Sequence, residues 1–204
     1  MSGVAFTYDN AAAAIALIAC GEIPKAAHIG DALLAAQDHD RYWHDGRPRN
    51  GYLAGAAVDV PLKLPGWWDN AQNMWVEDQY QVGSDTGNQA WAMLALLALY
   101  RAGAGSQYVS GAERLGFYVE KAFDARGPSG FNGGEFGDEP TPAPNMWKST
   151  EHNTDLAAAF TQLAEVTGGM FPLPDGSSFA DKVKLRILIK LVDRQIAEST
   201  PVPK

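Results

Sequence analysis

The sequence predicts an all-α fold in which helical hairpins curve or close into an α/α toroid, with three hairpins present. Three observations carry this. Apolar runs of helical length recur; each is followed by a glycine-containing turn and a second, amphipathic run; and long aromatic-rich connections separate the pairs. With 204 residues, 46% apolar and 20% charged, the chain is globular in composition and long enough for a sizeable core.

The first hairpin, about 9–37, opens with Asp9 and Asn10, runs through the apolar stretch 11–20 to a stop at Gly21, and returns from Pro24 to Gln37. Glycine after one helix and proline at the head of the next is the punctuation of a helical hairpin. The second, about 86–123, opens with Thr86, Gly87, Asn88 and Gln89, where Thr86 and Gln89 have capping-box spacing. It continues through Trp91 to Tyr100, turns at Gly103 and Gly105, and returns with Tyr108, Ala112, Leu115 and Val119 on one face. The third, about 152–196, follows Glu151, turns over 168–176 and returns from about 178. Asn10, Asn88 and Asn153 mark the same place in each unit, at spacings too irregular for a strict sequence repeat. The first helix of each pair is apolar nearly all round and the second is not, which implies an inner ring of buried helices inside a half-exposed outer ring.

Charge and cysteine content narrow the function. Lys and Arg total 16 against 24 Asp and Glu, a net charge of −8 that argues against nucleic acid. The split is uneven: 10 basic and 21 acidic residues lie in 1–177, against 6 and 3 in 178–204. Cys20 has no partner for an internal disulfide and sits in an apolar run, where it reads as a small buried hydrophobe. The amino terminus lacks a basic stretch before an apolar one, and the run 11–20 is half a bilayer span, so a soluble chain with no membrane segment is expected, cytoplasmic by default. With four dispersed His, no HExxH and no second Cys, no metal site and no cofactor are expected. There is also no GxSxG, and the 130–137 loop lacks a phosphate-cradling pattern.

The long connections 38–85 and 124–150 hold Trp43, Trp67, Trp68, Trp75 and Trp147, and by connectivity they meet where the inner helices begin. They also hold Asp38, Asp40, Asp45, Asp59, Asp69, Glu77, Asp78, Asp85, Glu135, Asp138 and Glu139, with Glu151 beyond. Indoles beside acids and amides suit a carbohydrate, whose C–H faces stack while its hydroxyls hydrogen-bond. Glycoside cleavage further needs two carboxyl groups flanking the bond. The plain alternative is that these tryptophans cap the core and the acids solvate the surface. The sharpest cluster is Trp147, Lys148, Ser149, Thr150, Glu151, His152 and Asn153, at the start of an apolar helix. Capping explains Ser149, Thr150 and an early acid, but not His152 beside Trp147 and Lys148. Asp9 and Asp85 hold the matching place in the other units, as helix caps or as acids around a shared cavity. Which of Asp9, Asp85 and Glu151 is catalytic stays open. Trp67, Trp68, Trp75, Glu135 and Asn88 join His152, Asn153, Trp147 and Lys148 as substrate-binding candidates.

The stretches Thr7-Tyr8-Asp9-Asn10-Ala11, Asp85-Thr86-Gly87-Asn88-Gln89-Ala90-Trp91 and Lys148-Ser149-Thr150-Glu151-His152-Asn153-Thr154-Asp155-Leu156 together resemble bacterial proteins of the six-hairpin glycosidase-like superfamily. The Ser-Thr-Glu-His-Asn motif resembles one poorly characterised branch. The resemblance covers roughly residues 6–180 and implies an (α/α)6 toroid, a glycoside hydrolase or related polysaccharide-processing activity, and acids at inner-helix ends that match Asp9, Asp85 and Glu151 by position. It makes 6–182 a partial toroid domain, since a full one has six hairpins. The basic segment 183–204 lacks the loop that should lead into a fourth, and reads as a truncation, a shifted frame or a natural short form. A half toroid predicts self-association through exposed inner-helix flanks. Two alternatives stand beside a hydrolase: a non-catalytic glycan-binding or scaffold protein, and an isoprenoid cyclase relative, whose acid-rich motif is absent.

Overall fold

A computed structural model describes residues 3–55, 62–124, 126 and 130–168. It corrects the all-α expectation. Among the described residues five helices are interspersed with nine short strands, which form three two-stranded sheets and one three-stranded sheet, all antiparallel. The class is therefore mixed α and β, not an all-α toroid of hairpins. The reason lies in length: a strand of two to four residues is too short to show a period-two pattern. Its β-favouring residues, such as Trp67, Trp68, Trp75 and Val76, then pass for a binding loop.

The helices are α1 (Thr7–Ala19), α2 (Ile23–Asp38), α3 (Thr86–Arg101), α4 (Gln107–Glu120) and α5 (Thr150–Val166). α1 and α3 end alike. Gly21 and Gly103 are both left-handed, at φ 78°, and close the same pair of hydrogen bonds: Gly21 N–H to Ile18 O and Glu22 N–H to Leu17 O, Gly103 N–H to Tyr100 O and Ala104 N–H to Leu99 O. Gly168, also left-handed, follows the C-cap of α5. The hairpins α1/α2 and α3/α4 are both present. The return run of the third, its turn from 169 onward, the basic segment 183–204 and Asp59 lie outside the described residues.

α3 is the central helix. It packs against each of the other four, and its Ala90, Met93, Leu96, Leu97 and Leu99 are fully enclosed. α1 differs from the expected inner helix: Thr7, Ala11 and Ala14 are buried while Ala13, Ala16 and Ala19 are exposed. Cys20, at the α1 C-cap, is exposed rather than buried. No helix among the described residues is long and apolar enough to cross a membrane.

The strands gather where α1, α3 and α5 begin. β1 (Val4–Phe6) runs straight into α1 and pairs with β2 (Gly51–Leu53); β3 (Gly66–Asp69) and β4 (Met74–Glu77) form a hairpin. β5 (Ser84–Asp85) runs straight into α3, and β6 (Phe123–Asp124) pairs with β7 (Gly130–Phe131). β8 (Gly134–Phe136) lies between β5 and β9 (Ala143–Asn145), which precedes α5. Gly134, at φ 99°, is pressed so close to Ser84 and Asp85 that a side chain there would meet their backbone.

Candidate functional site

Asp85 sits at the junction of β5 and α3 as the N-cap, yet its side chain makes no capping bond. Its amide donates to Asn50 Oδ1 at 2.7 Å, an oxygen that also accepts from Asn88 Nδ2 at 2.6 Å. Asn50 further donates from Nδ2 to Tyr80 O (2.8 Å), and its carbonyl accepts the Thr7 amide at the head of α1 (2.9 Å). One buried residue thus ties the two helix starts together, α3 through the Asn50 side chain and α1 through its backbone carbonyl. Asp85 is only 8% exposed, and Asn145 Nδ2 donates to its Oδ1 at 3.3 Å. Burial pushes its pKa above the usual carboxylate value, against the opposing pull of His152 and the Asn50 and Asn145 amides.

His152, on the first turn of α5, faces this carboxyl. Thr86 gives its one hydroxyl hydrogen to Asn132 O at 2.8 Å, so the 3.2 Å contact between Thr86 Oγ1 and His152 Nδ1 is donated by the ring. The imidazole lies over Gly87, where a Cβ would come within 2.6 Å of Nε2. Trp147 meets the imidazole edge to face at 5.2 Å and lies over Gly133, where a Cβ would come within 2.5 Å of the indole. Both rings are seated on glycines, and Trp147 keeps half of its surface exposed. Ser149 caps α5 by accepting the His152 amide at 3.2 Å. The Thr86/Gln89 capping box does not form, because Gln89 Nε2 is turned to Pro48 O (2.8 Å).

The amino-terminal halves of the three helices adjoin through side chains. Tyr8 packs on Trp91 with ring centroids 5.0 Å apart, and Trp91 Nε1 donates to Asp155 Oδ2 at 3.0 Å. Burial, together with the nearby Glu151 charge, raises the Asp155 pKa despite the Trp91 bond and His152. Glu151 is exposed on the second residue of α5, and Asp9 is exposed on the third residue of α1. The three candidate acids therefore occupy three different cap positions, and Asp85 alone is buried.

The remaining candidates are held in structural bonds. Asn153 exchanges two hydrogen bonds of 2.9 Å with the Phe131 backbone, as a strand would, and donates to Ser149 O; Asn10 makes the equivalent bond to Phe6 O. Asn88 bonds Asn50 instead, so the three asparagines are not equivalent. Lys148 Nζ donates to Arg126 O at 2.7 Å and Asp124 O at 3.1 Å. Glu135 is ion-paired with Arg47, which also grips Asp45 and stacks on Trp43 and Tyr118. Trp67, Trp68 and Trp75 stand on the β3/β4 hairpin, each about half exposed.

Sequence reasoning missed Asn50, Tyr80, Thr86 and Asn145 around Asp85. It also passed over one usable signal: Gly87 lies in the first turn of a helix, where glycine is disfavoured and asks for a packing reason. No family model, curated protein or solved structure matches the chain.

Proposed function

We propose that the protein is carbohydrate-active and cleaves a glycosidic bond with Asp85 as general acid and Glu151 as its carboxylate partner. The observation that supports this most is Asp85 itself. It is a nearly enclosed carboxyl with no Lys or Arg partner among the described residues, kept protonated to higher pH by burial, and the histidine that acts on it, His152, is packed against the half-exposed Trp147. A glycosidase acid needs this environment: the proton must stay on at working pH and leave when the glycosidic oxygen acquires charge.

In this reading a sugar ring stacks on Trp147 while Asp85 passes its proton to the glycosidic oxygen and the C–O bond breaks. Glu151 either attacks the anomeric carbon, leaving a glycosyl ester for water to release, or takes the proton of the attacking water. His152, held by the Thr86 hydroxyl and packed on Gly87, seats the Trp147 indole on which the sugar stacks. A second reading, a glycan-binding protein without cleavage, draws on the same burial, since a carboxyl enclosed at a helix start can be purely structural.

Reducing-end release from a panel of neutral and acidic polysaccharides separates the two. Release that falls roughly 10²-fold or more in Asp85→Asn, and comparably in Glu151→Gln, supports acid/base cleavage. Binding without release, unchanged by either substitution, supports the second reading.

A further inference from the structure

We infer that the face of the β3/β4 hairpin carrying Trp75 is a separate binding site for a neutral pyranose ring. The inference rests on the chain being carbohydrate-active and names a second place, with its own polar groups, where the glycan is held. Antiparallel pairing puts Trp68 directly opposite Trp75 and Gly66 opposite Glu77, so all four share one face. A Cβ on Gly66 would come within 2.8 Å of Trp75 Nε1. The indole Nε1 thus reaches across to the glycine of the opposite strand, and the residue keeps 44% of its surface exposed. A half-exposed indole offers a pyranose an apolar surface to stack on, and Trp68 shares its face of the hairpin.

This platform is one wall of a cavity of about 400 Å³, within the size range of small-ligand sites. The cavity forms where the segment 62–65 passes between β2 and the hairpin, held by Leu53 N–H to Lys63 O (2.9 Å) and Asp78 N–H to Pro65 O (3.0 Å). Leu53, Leu62 and Leu64 line it on the apolar side, and Arg41, Glu77 and Lys63 on the polar side. Arg41 donates from its two terminal nitrogens to the two Glu77 oxygens at 2.6 and 2.7 Å, and from Nε to Glu139. Nη2 reaches Glu139 as well, so the guanidinium is held between two carboxylates and sets N–H donors directly beside carboxylate acceptors. Hydroxyls, which donate and accept, match that pairing. Arg41 is compensated by Glu77 and Glu139, so the positive charges of Arg41 and Lys63 do not stand alone beside the indole, and we take the ligand to be uncharged.

The test is a titration of the Asp85→Asn protein, in which the proposed acid is removed, with four neutral hexasaccharides: cello-, xylo-, manno- and chitohexaose. Hexagalacturonate serves as the acidic comparator, with calorimetry as the readout. At least one neutral hexaose should bind, Trp75→Ala on that background should weaken it roughly tenfold or more, and Trp75→Tyr should restore most of the affinity. Three results each overturn the inference: no neutral hexaose binds, Trp75→Ala binds as tightly as its parent, or hexagalacturonate binds more tightly than every neutral hexaose. If Asp85→Asn leaves cleavage intact, the assignment of Asp85 falls while the Trp75 comparison still decides this site.

Discussion

Carboxylates that are buried or half-buried in this molecule are treated in two opposite ways. Asp40, Asp45 and Glu139 are clamped by arginines: Arg49 donates from Nε to Asp40 at 2.6 Å and from Nη1 to Glu139 at 3.0 Å, and Arg47 grips Asp45 at 2.8 Å. Burial alone would push these acids up, but the arginine bonds and local amides outweigh it and hold all three below the ordinary carboxylate range. Asp85 is also buried, but faces amides and a histidine rather than an arginine, and its pKa is raised. Burial is common to both groups; the presence of a cation decides whether it makes a structural anchor or a proton donor.

The largest expected effect comes from breaking the clamp. Arg49 is fully enclosed and its Asp40 partner nearly so, so Arg49→Ala strands buried charge and should lower the unfolding free energy by roughly 3–5 kcal/mol in urea titration. A loss below ~1 kcal/mol would show that the network is not a stability anchor. Next, Gly87→Ala drives a methyl into the His152 ring. It should lower stability by about 1–3 kcal/mol and reduce cleavage, with the His152 ring resonances shifted in NMR spectra. Smallest is the stability effect of Asp85→Asn. Removing a buried charge without a cation should raise unfolding free energy at neutral pH by about 1 kcal/mol while activity is lost. A marked destabilisation there would place Asp85 with the structural acids.

The two groups also predict opposite pH dependence. With its folded pKa raised, Asp85 contributes stability that is present below the unfolded value and lost as pH rises through the folded one. With theirs lowered, Asp40, Asp45 and Glu139 contribute stability that is present above their unfolded values, near ~4, and lost as pH falls through the folded ones. Acid unfolding should therefore begin in the arginine clamp, and the Asp85 junction should tighten as it does.

Helices were far easier to read from sequence than this division. Gly21, Pro24 and Gly103 punctuate the two complete hairpins with purely local chemistry, and the structure places turns at both glycines and Pro24 in the first turn of α2. The strands stayed hidden because each is short and some pair with distant segments, as Gly134 pairs with Asp85. The acids stayed pooled for the same reason. Arg41 and Glu139 are 98 residues apart, Arg49 and Glu139 90, and Arg47 and Glu135 88. No spacing rule connects such partners, so clamped and unclamped carboxylates look alike in a linear sequence. The aromatic residues show a related ambiguity: Trp67, Trp68 and Trp75 are strand residues and exposed surface at once, and only the register shows that Trp68 and Trp75 share a face.

The most direct test of the account is a ¹³C-carboxyl NMR titration of the protein, with Asp85 and Asp40 assigned through Asp85→Asn and Asp40→Asn. The Asp85 carboxyl should titrate above the ordinary aspartate value of ~3.9 and the Asp40 carboxyl below it. An Asp85 that titrates at or below the ordinary value would contradict the division between clamped and proton-holding acids, and with it the assignment of Asp85 as the general acid.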